Sequence, residues 1–170
     1  MKSRLTCLLF FLLAAASMPS ACNGGPVTTP EPPTTATATI PTPPSAEELA
    51  KDGFILPELP RITAQQLRQM INSGQPVAIV DTRIAFFYNA DHIPGAINIP
   101  YEPNNAQPPA FLNLPKDRPV VFYTDEEKDF DSAASVSRLL KMDAGFDPAK
   151  VLVLWKGYFW WKRLQYPVAT

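Results

Sequence analysis

Val120-Val121-Phe122-Tyr123-Thr124-Asp125-Glu126-Glu127-Lys128-Asp129-Phe130-Asp131-Ser132 is an apolar run that passes into an acidic loop and then into a helical pattern. Four consecutive apolar residues suit a strand buried on both faces, and α/β domains place their chemistry in the loops at the carboxyl ends of such strands. This loop holds no cysteine, histidine or arginine. Nucleophilic and anion-binding chemistry both rely on those residue types, so their absence narrows the function more than any motif present.

Around this strand the chain alternates helical and strand patterns. Thr63 suits a helix N-cap ahead of Leu67, Met70 and Ile71, with Asn72-Ser73-Gly74 as its stop. Val77-Ala78-Ile79-Val80, Ala96-Ile97-Asn98-Ile99 and Val151-Leu152-Val153-Leu154 read as further strands. Helices are expected over 46–52, 132–142 and 158–164, and a short one at 110–112. Such alternation predicts an α/β domain of three layers, a mainly parallel sheet with helices on both faces.

The chain has 170 residues, 46% of them hydrophobic, enough for one domain with appendages. Lys2 and Arg4 precede the apolar stretch 5–16, which is too short for an ordinary membrane span and reads as an export signal over residues 1–21. Small residues before Cys22 resemble the lipobox of bacterial lipoproteins, with Pro19 where that pattern prefers leucine; a plain secretory signal leaving a free Cys22 thiol is the alternative. Residues 22–60 read as a linker, rich in Pro and Thr up to Ser45 and then carrying the short helical segment. At about 3.1 Å per residue in a polyproline conformation, it could hold a domain over 61–170 some tens of Å from a membrane. The expected location is the extracytoplasmic side of the cell membrane, anchored through lipid on Cys22.

Cys7 leaves with the signal, so the mature domain has no partner for an internal disulfide. Removing Lys2 and Arg4 from the fifteen basic residues leaves a net charge of −3 against sixteen acids. That balance argues against nucleic acid as a partner. His92, the one histidine, cannot supply a multi-histidine metal site and leaves a histidine-dependent triad hard to assemble. Asp125, Glu127, Asp129 and Asp131 alternate as cation ligands do, but without the glycine and distal glutamate of an EF-hand loop. A solvated acidic loop is the simpler reading, and neither a metal nor a cofactor is expected.

Four blocks in this order resemble a single rhodanese-like domain over 61–168: Val80-Asp81-Thr82-Arg83; Asp91-His92-Ile93-Pro94-Gly95-Ala96-Ile97-Asn98-Ile99-Pro100; the Val120 to Tyr123 strand; and Leu154-Trp155-Lys156-Gly157 with Trp161 and Tyr166-Pro167-Val168. The resemblance implies that Thr124 stands where active members carry the cysteine that takes a sulfane sulfur as a persulfide. A threonine hydroxyl cannot hold a persulfide, and no adjacent base is available to activate it. The acids around it are expected to repel an anionic substrate, and the loop, taken as 124–132, to be longer than the common one.

In the family the Asp81 and Arg83 pair helps to organise the site face, which makes Arg83 the one cation expected near the loop, paired with one of its acids. His92 is expected to have a structural hydrogen-bonding role. Lys156 replaces the first glycine of the family's Gly-Gly pair. Tyr158 and Trp161 are expected in the core, and Trp155 near the loop as a ligand or partner contact with Phe86, Phe87 and Tyr88. The expected binding cleft comprises Asp81, Arg83, Thr124, Asp125, Glu127, Asp129, Ser132 and Trp155. The leading expectation is a binding or regulatory module without sulfurtransferase activity, its partner an unknown protein or small molecule. The alternatives are a carboxylate- or cation-dependent enzyme in the same cleft, or residual sulfurtransferase-like activity; transfer through Cys22 is a weaker one, because a lipidated sulfur is a thioether.

Overall fold

Residues 40–105, 108–142 and 144–170 are described by a computed structural model. The expected export signal and Cys22 lie outside the described residues. Among those residues no helix is long and apolar enough to cross a membrane.

Five strands, β1 (Arg61–Ile62), β2 (Ala78–Asp81), β3 (Ala96–Asn98), β4 (Val120–Tyr123) and β5 (Val151–Leu154), form one sheet of order β1-β5-β4-β2-β3. All its pairings are parallel. The helices are α1 (Ala46–Lys51), α2 (Ala64–Asn72), α3 (Ala85–Ala90), α4 (Phe130–Lys141) and α5 (Gly157–Arg163), with 3-10 turns at Pro109–Asn113 and Pro148–Lys150. This is the expected α/β architecture.

Strand side chains alternate between two cores, as a pleated backbone dictates. Ile79, Val121, Tyr123 and Leu154 face one side, where they pack with Leu67 of α2 and with Tyr158 and Trp161 of α5. Val80, Val120, Phe122, Val151 and Val153 face the other, against Ala133, Val136 and Leu139 of α4 and Phe111. Burying a strand on both faces requires the unbroken apolar runs that mark β4 and β5.

Local signals explain some element ends. Thr63 caps α2 through a capping box, its hydroxyl accepting from the Gln66 N–H while the Gln66 side chain accepts from the Thr63 N–H. Helix α4 begins at Phe130, two residues before the expected start, so the irregular loop is Thr124 to Asp129, shorter than the nine residues expected. The Asp129 backbone is left-handed there (φ 51°), and its carboxylate pairs with Arg61 of β1.

The segment before β1 packs as part of the domain, whereas composition places it in the linker. Leu49 and Phe54 are buried. The Arg61 guanidinium donates to the carbonyls of Ile55, Leu56, Pro57 and Leu59, and with Nε and Nη2 holds both oxygens of Asp129 at 3.0 and 3.1 Å. Lys128 Nζ donates to the Asp52 carbonyl and lies over the Phe54 ring. The expected boundary at residue 60/61 therefore falls inside a packed unit.

Candidate functional site

In sheet order, the chain leaves β2 towards the β3 edge and leaves β4 in the opposite direction, towards β5. A crevice opens at the carboxyl ends of strands where connections diverge in this way. Asp81 pairs in register with Tyr123, so the segments following β2 and β4, Thr82-Arg83 and the Thr124 loop, emerge side by side.

Arg83 organises the floor. Its Nε and Nη2 take both oxygens of Asp81 at 2.7 to 3.0 Å, and Nη2 also donates to the Asp91 carbonyl at 2.6 Å. The Tyr123 hydroxyl donates to Asp81 Oδ2 at 2.5 Å. Burial works against the arginine charge, but the hydrogen bonds and charge of Asp81, aided by Asp125, raise its pKa above the ordinary value. Burial, then the Asp81 charge, raises the Tyr123 phenol, which keeps it neutral as the carboxylate's donor. Nη1 is turned to the loop and donates to Asp125 Oδ1 at 3.1 Å. The expected pairing of Arg83 with a loop acid is thus formed, through Asp125.

Thr124 is buried at the head of the loop, and its carbonyl accepts from the Tyr158 N–H at 2.7 Å. This close approach explains Gly157. A Cβ there would stand 2.3 Å from the Thr124 oxygen and 2.9 Å from that of Glu126. Lys156, just before it, occupies the left-handed region (φ 63°), a conformation that favours glycine. Its Nζ lies over the rings of Trp155 and Trp160, 4.8 and 4.4 Å from their centroids, and 3.3 Å from Glu127 Oε1.

Two concave regions meet at Arg83, Phe87 and Asp125. The larger, an open cleft of about 600 Å³, is also lined by Asp91, Tyr158, Phe159, Lys162 and Arg163. The smaller, about 200 Å³, adds Ile84, Thr124, Glu126 and Asp131. Asp91 accepts from Lys162 Nζ at 2.7 Å, and this donor depresses its pKa. Tyr158 is 2% exposed, its ring 4.1 Å from the Arg83 guanidinium carbon. Its hydroxyl faces Asp91 yet meets no protein partner at hydrogen-bonding geometry among the described residues. Burial, and then Asp91, raise its pKa. Burial also raises Asp131, with Glu126 adding like charge.

Of the residues expected in the cleft, Asp81, Arg83, Thr124 and Asp125 come together. The other four stand elsewhere. Asp129 is buried against Arg61, and burial raises its carboxyl against the pull of that arginine. Ser132 is buried, its hydroxyl donating to the Asp129 carbonyl. Glu127 is turned to Lys156, and Trp155 is half-buried beneath that lysine, with an indole N–H that has no partner among the described residues. The physical reason is that successive loop acids pair with cations in different directions. Among the described residues no three of His, Cys, Asp and Glu converge as metal ligands.

The same pairing changes the expected repulsion of anions, since Arg83, Lys162 and Arg163 line the larger cleft against Asp91 and Asp125. His92 is engaged in structure, its Nδ1 3.0 Å from the Tyr88 carbonyl and its ring stacked on Tyr88. Sequence reading missed Asp91, Lys162 and Arg163 as lining residues. The one signal was the spacing of Tyr158 and Lys162, four apart and so on one helix face.

These features define a parallel α/β domain with a loop-walled cleft at the carboxyl edge of its sheet. The Rhodanese-like domain family model matches residues 63–164, and the chain belongs to that family. A rhodanese-like domain from Anabaena is 29% identical, with a TM-score of 0.52 over 65% of this chain and 78% of that one. A rhodanese-related protein from Thermoplasma volcanium is 23% identical, with a TM-score of 0.52 over 65% of this chain and 97% of that one. An As-Sb reductase from Leishmania major shares the fold at 16% identity and a TM-score of 0.52, over 61% and 77%. No curated protein matches.

Proposed function

We propose that this chain is a rhodanese-like binding or regulatory module without sulfurtransferase activity, held at the extracytoplasmic face of a membrane by lipid on Cys22. The observation that carries the reading is the loop itself. Its head is Thr124, at the position that the family resemblance gives to the persulfide-bearing cysteine, and the nearest arginine is occupied by Asp81, Asp91 and Asp125. Sulfur transfer needs a thiolate that attacks the donor's sulfane sulfur, displacing sulfite in the case of thiosulfate, and then, as a persulfide, passes its outer sulfur to an acceptor. A threonine hydroxyl forms no persulfide, whatever carboxylates stand near it, and so supplies neither step. The cleft is nevertheless intact, within the 300 to 1,000 Å³ range of small-molecule sites.

Anchoring is supported by the export signal, the small residues before Cys22 and the Pro/Thr-rich stalk. Incubation of the full chain with thiosulfate should leave its intact mass unchanged. A stable gain of one sulfur atom would overturn the non-transferring reading. Mass spectrometry of the mature N-terminus tests the anchor: a diacylglyceryl mass on Cys22 is expected, and a free thiol there would refute it.

A further inference from the structure

The Asp125 carboxylate lines the cleft and accepts from Arg83 Nη1. Four of the five hydrogen bonds made by the Arg83 guanidinium go to groups close to it in sequence, Asp81 and the Asp91 carbonyl, and fix it in place. The fifth, at Nη1, is made by Asp125, whose side chain is 46% exposed and projects from the loop; the Asp91 carboxylate stands farther off, 3.8 Å from the same nitrogen. Nη1 thus meets the cleft through a single hydrogen bond, to an acid on an exposed loop side chain. Alongside stands the Tyr158 hydroxyl, buried, facing the Asp91 carboxylate and without a partner at hydrogen-bonding geometry among the described residues. A buried hydroxyl left unpaired is destabilising, so an acceptor arriving in the cleft gains by meeting it.

The walls are apolar. Phe87 and Phe159 line the cleft and remain exposed, and Phe86 beside them is 74% exposed. The remaining charge suits a single negative group: Lys162 is already paired with Asp91, and Asp91 and Asp125 would oppose a multiply charged anion.

We propose that the cleft takes an amphipathic monocarboxylate, a single carboxylate on an apolar or aromatic body. Its carboxylate replaces that of Asp125 at Arg83 Nη1 and accepts from the Tyr158 hydroxyl, while its body lies against Phe87 and Phe159. Asp125 is the displaceable internal occupant that sets the threshold for binding. This rests on reading the cleft as a binding site, and it adds the ligand class and the residue that regulates access.

The test uses the full chain in non-ionic detergent, titrated with 3-phenylpropionate and with the uncharged 3-phenylpropanamide, and followed by intrinsic tryptophan fluorescence. Asp125→Asn should tighten the acid about ten-fold, the scale of one charge-assisted hydrogen bond no longer contested, and leave the amide unchanged. Tyr158→Phe should weaken the acid by about five-fold or more, and the hydroxyl it removes makes no hydrogen bond of good geometry among the described residues, so the fold should be kept. Equal binding of acid and amide, or an acid affinity indifferent to Asp125→Asn, would overturn the proposal. Sulfur transfer is read separately by mass, so failure of the non-transferring reading and failure of the ligand class are distinguishable.

Discussion

At the scale of single residues, the cleft depends on one buried ion pair and one missing side chain. Asp81→Ala leaves the Arg83 charge buried beside a lone carbonyl and a half-exposed acid. Breaking a buried pair in this way costs about 3–5 kcal/mol, readable as a lowered urea midpoint. Gly157→Ala drives a Cβ into the Thr124 and Glu126 carbonyls and should displace the loop, with loss of the Tyr158 N–H bond as an exchange-rate increase at that amide. Lys156 carries left-handed strain of roughly 1–2 kcal/mol and offsets it through Glu127 and two tryptophan rings. Lys156→Gly should therefore be more stable than Lys156→Ala by about 1 kcal/mol in thermal unfolding, because both lose the contacts and only glycine relieves the backbone. Asp81 and Arg83 were legible in the sequence because Val80-Asp81-Thr82-Arg83, at a strand end, is one of the blocks that carry the family resemblance. Tyr158 and Lys162 were not legible as site residues, because the cleft they line exists only once α5 packs beside the loop.

At the scale of elements, the loop is fixed at its far end by the segment preceding the sheet. Arg61 joins Asp129 to four carbonyls of residues 55–59, so it serves two structures at once. Asp129→Ala should cost about 3–5 kcal/mol. Adding Arg61→Met removes the orphaned charge, but it strips four carbonyls of their donor at roughly 1 kcal/mol each, so the double variant should not recover. Recovery to near wild-type urea stability would show that the arginine serves Asp129 alone. Elements with strong local signals were readable: β4, β5 and the capped α2. Helix α3 was not, since it buries no residue, is rich in aromatics and has Ile84 as an N-cap without a side-chain bond. Strand β1, of two residues, is too short for any period to show.

At the scale of the whole molecule, alternating patterns indicate a parallel sheet, but strand order is settled by packing that no local pattern encodes. The order β1-β5-β4-β2-β3 is what brings Arg83, the loop and α5 around one opening. Lys162 to Asp91 spans that opening between α5 and the segment after α3. The Lys162 donor holds the folded Asp91 pKa below its unfolded value. The pair's stabilisation is therefore present above the ordinary carboxylate range and is lost as pH falls through the depressed pKa. Melting temperatures of the wild type and Asp91→Asn should differ slightly at neutral pH and converge in acid; a gap that persists there would contradict the assignment. Above all of this stands the claim that the family's fold is retained here without its sulfur chemistry. The most direct test is thiocyanate formation from thiosulfate and cyanide by the full chain beside its Thr124→Ala variant. Both are predicted to run at the protein-free rate; turnover by the wild type that disappears in Thr124→Ala would contradict the account.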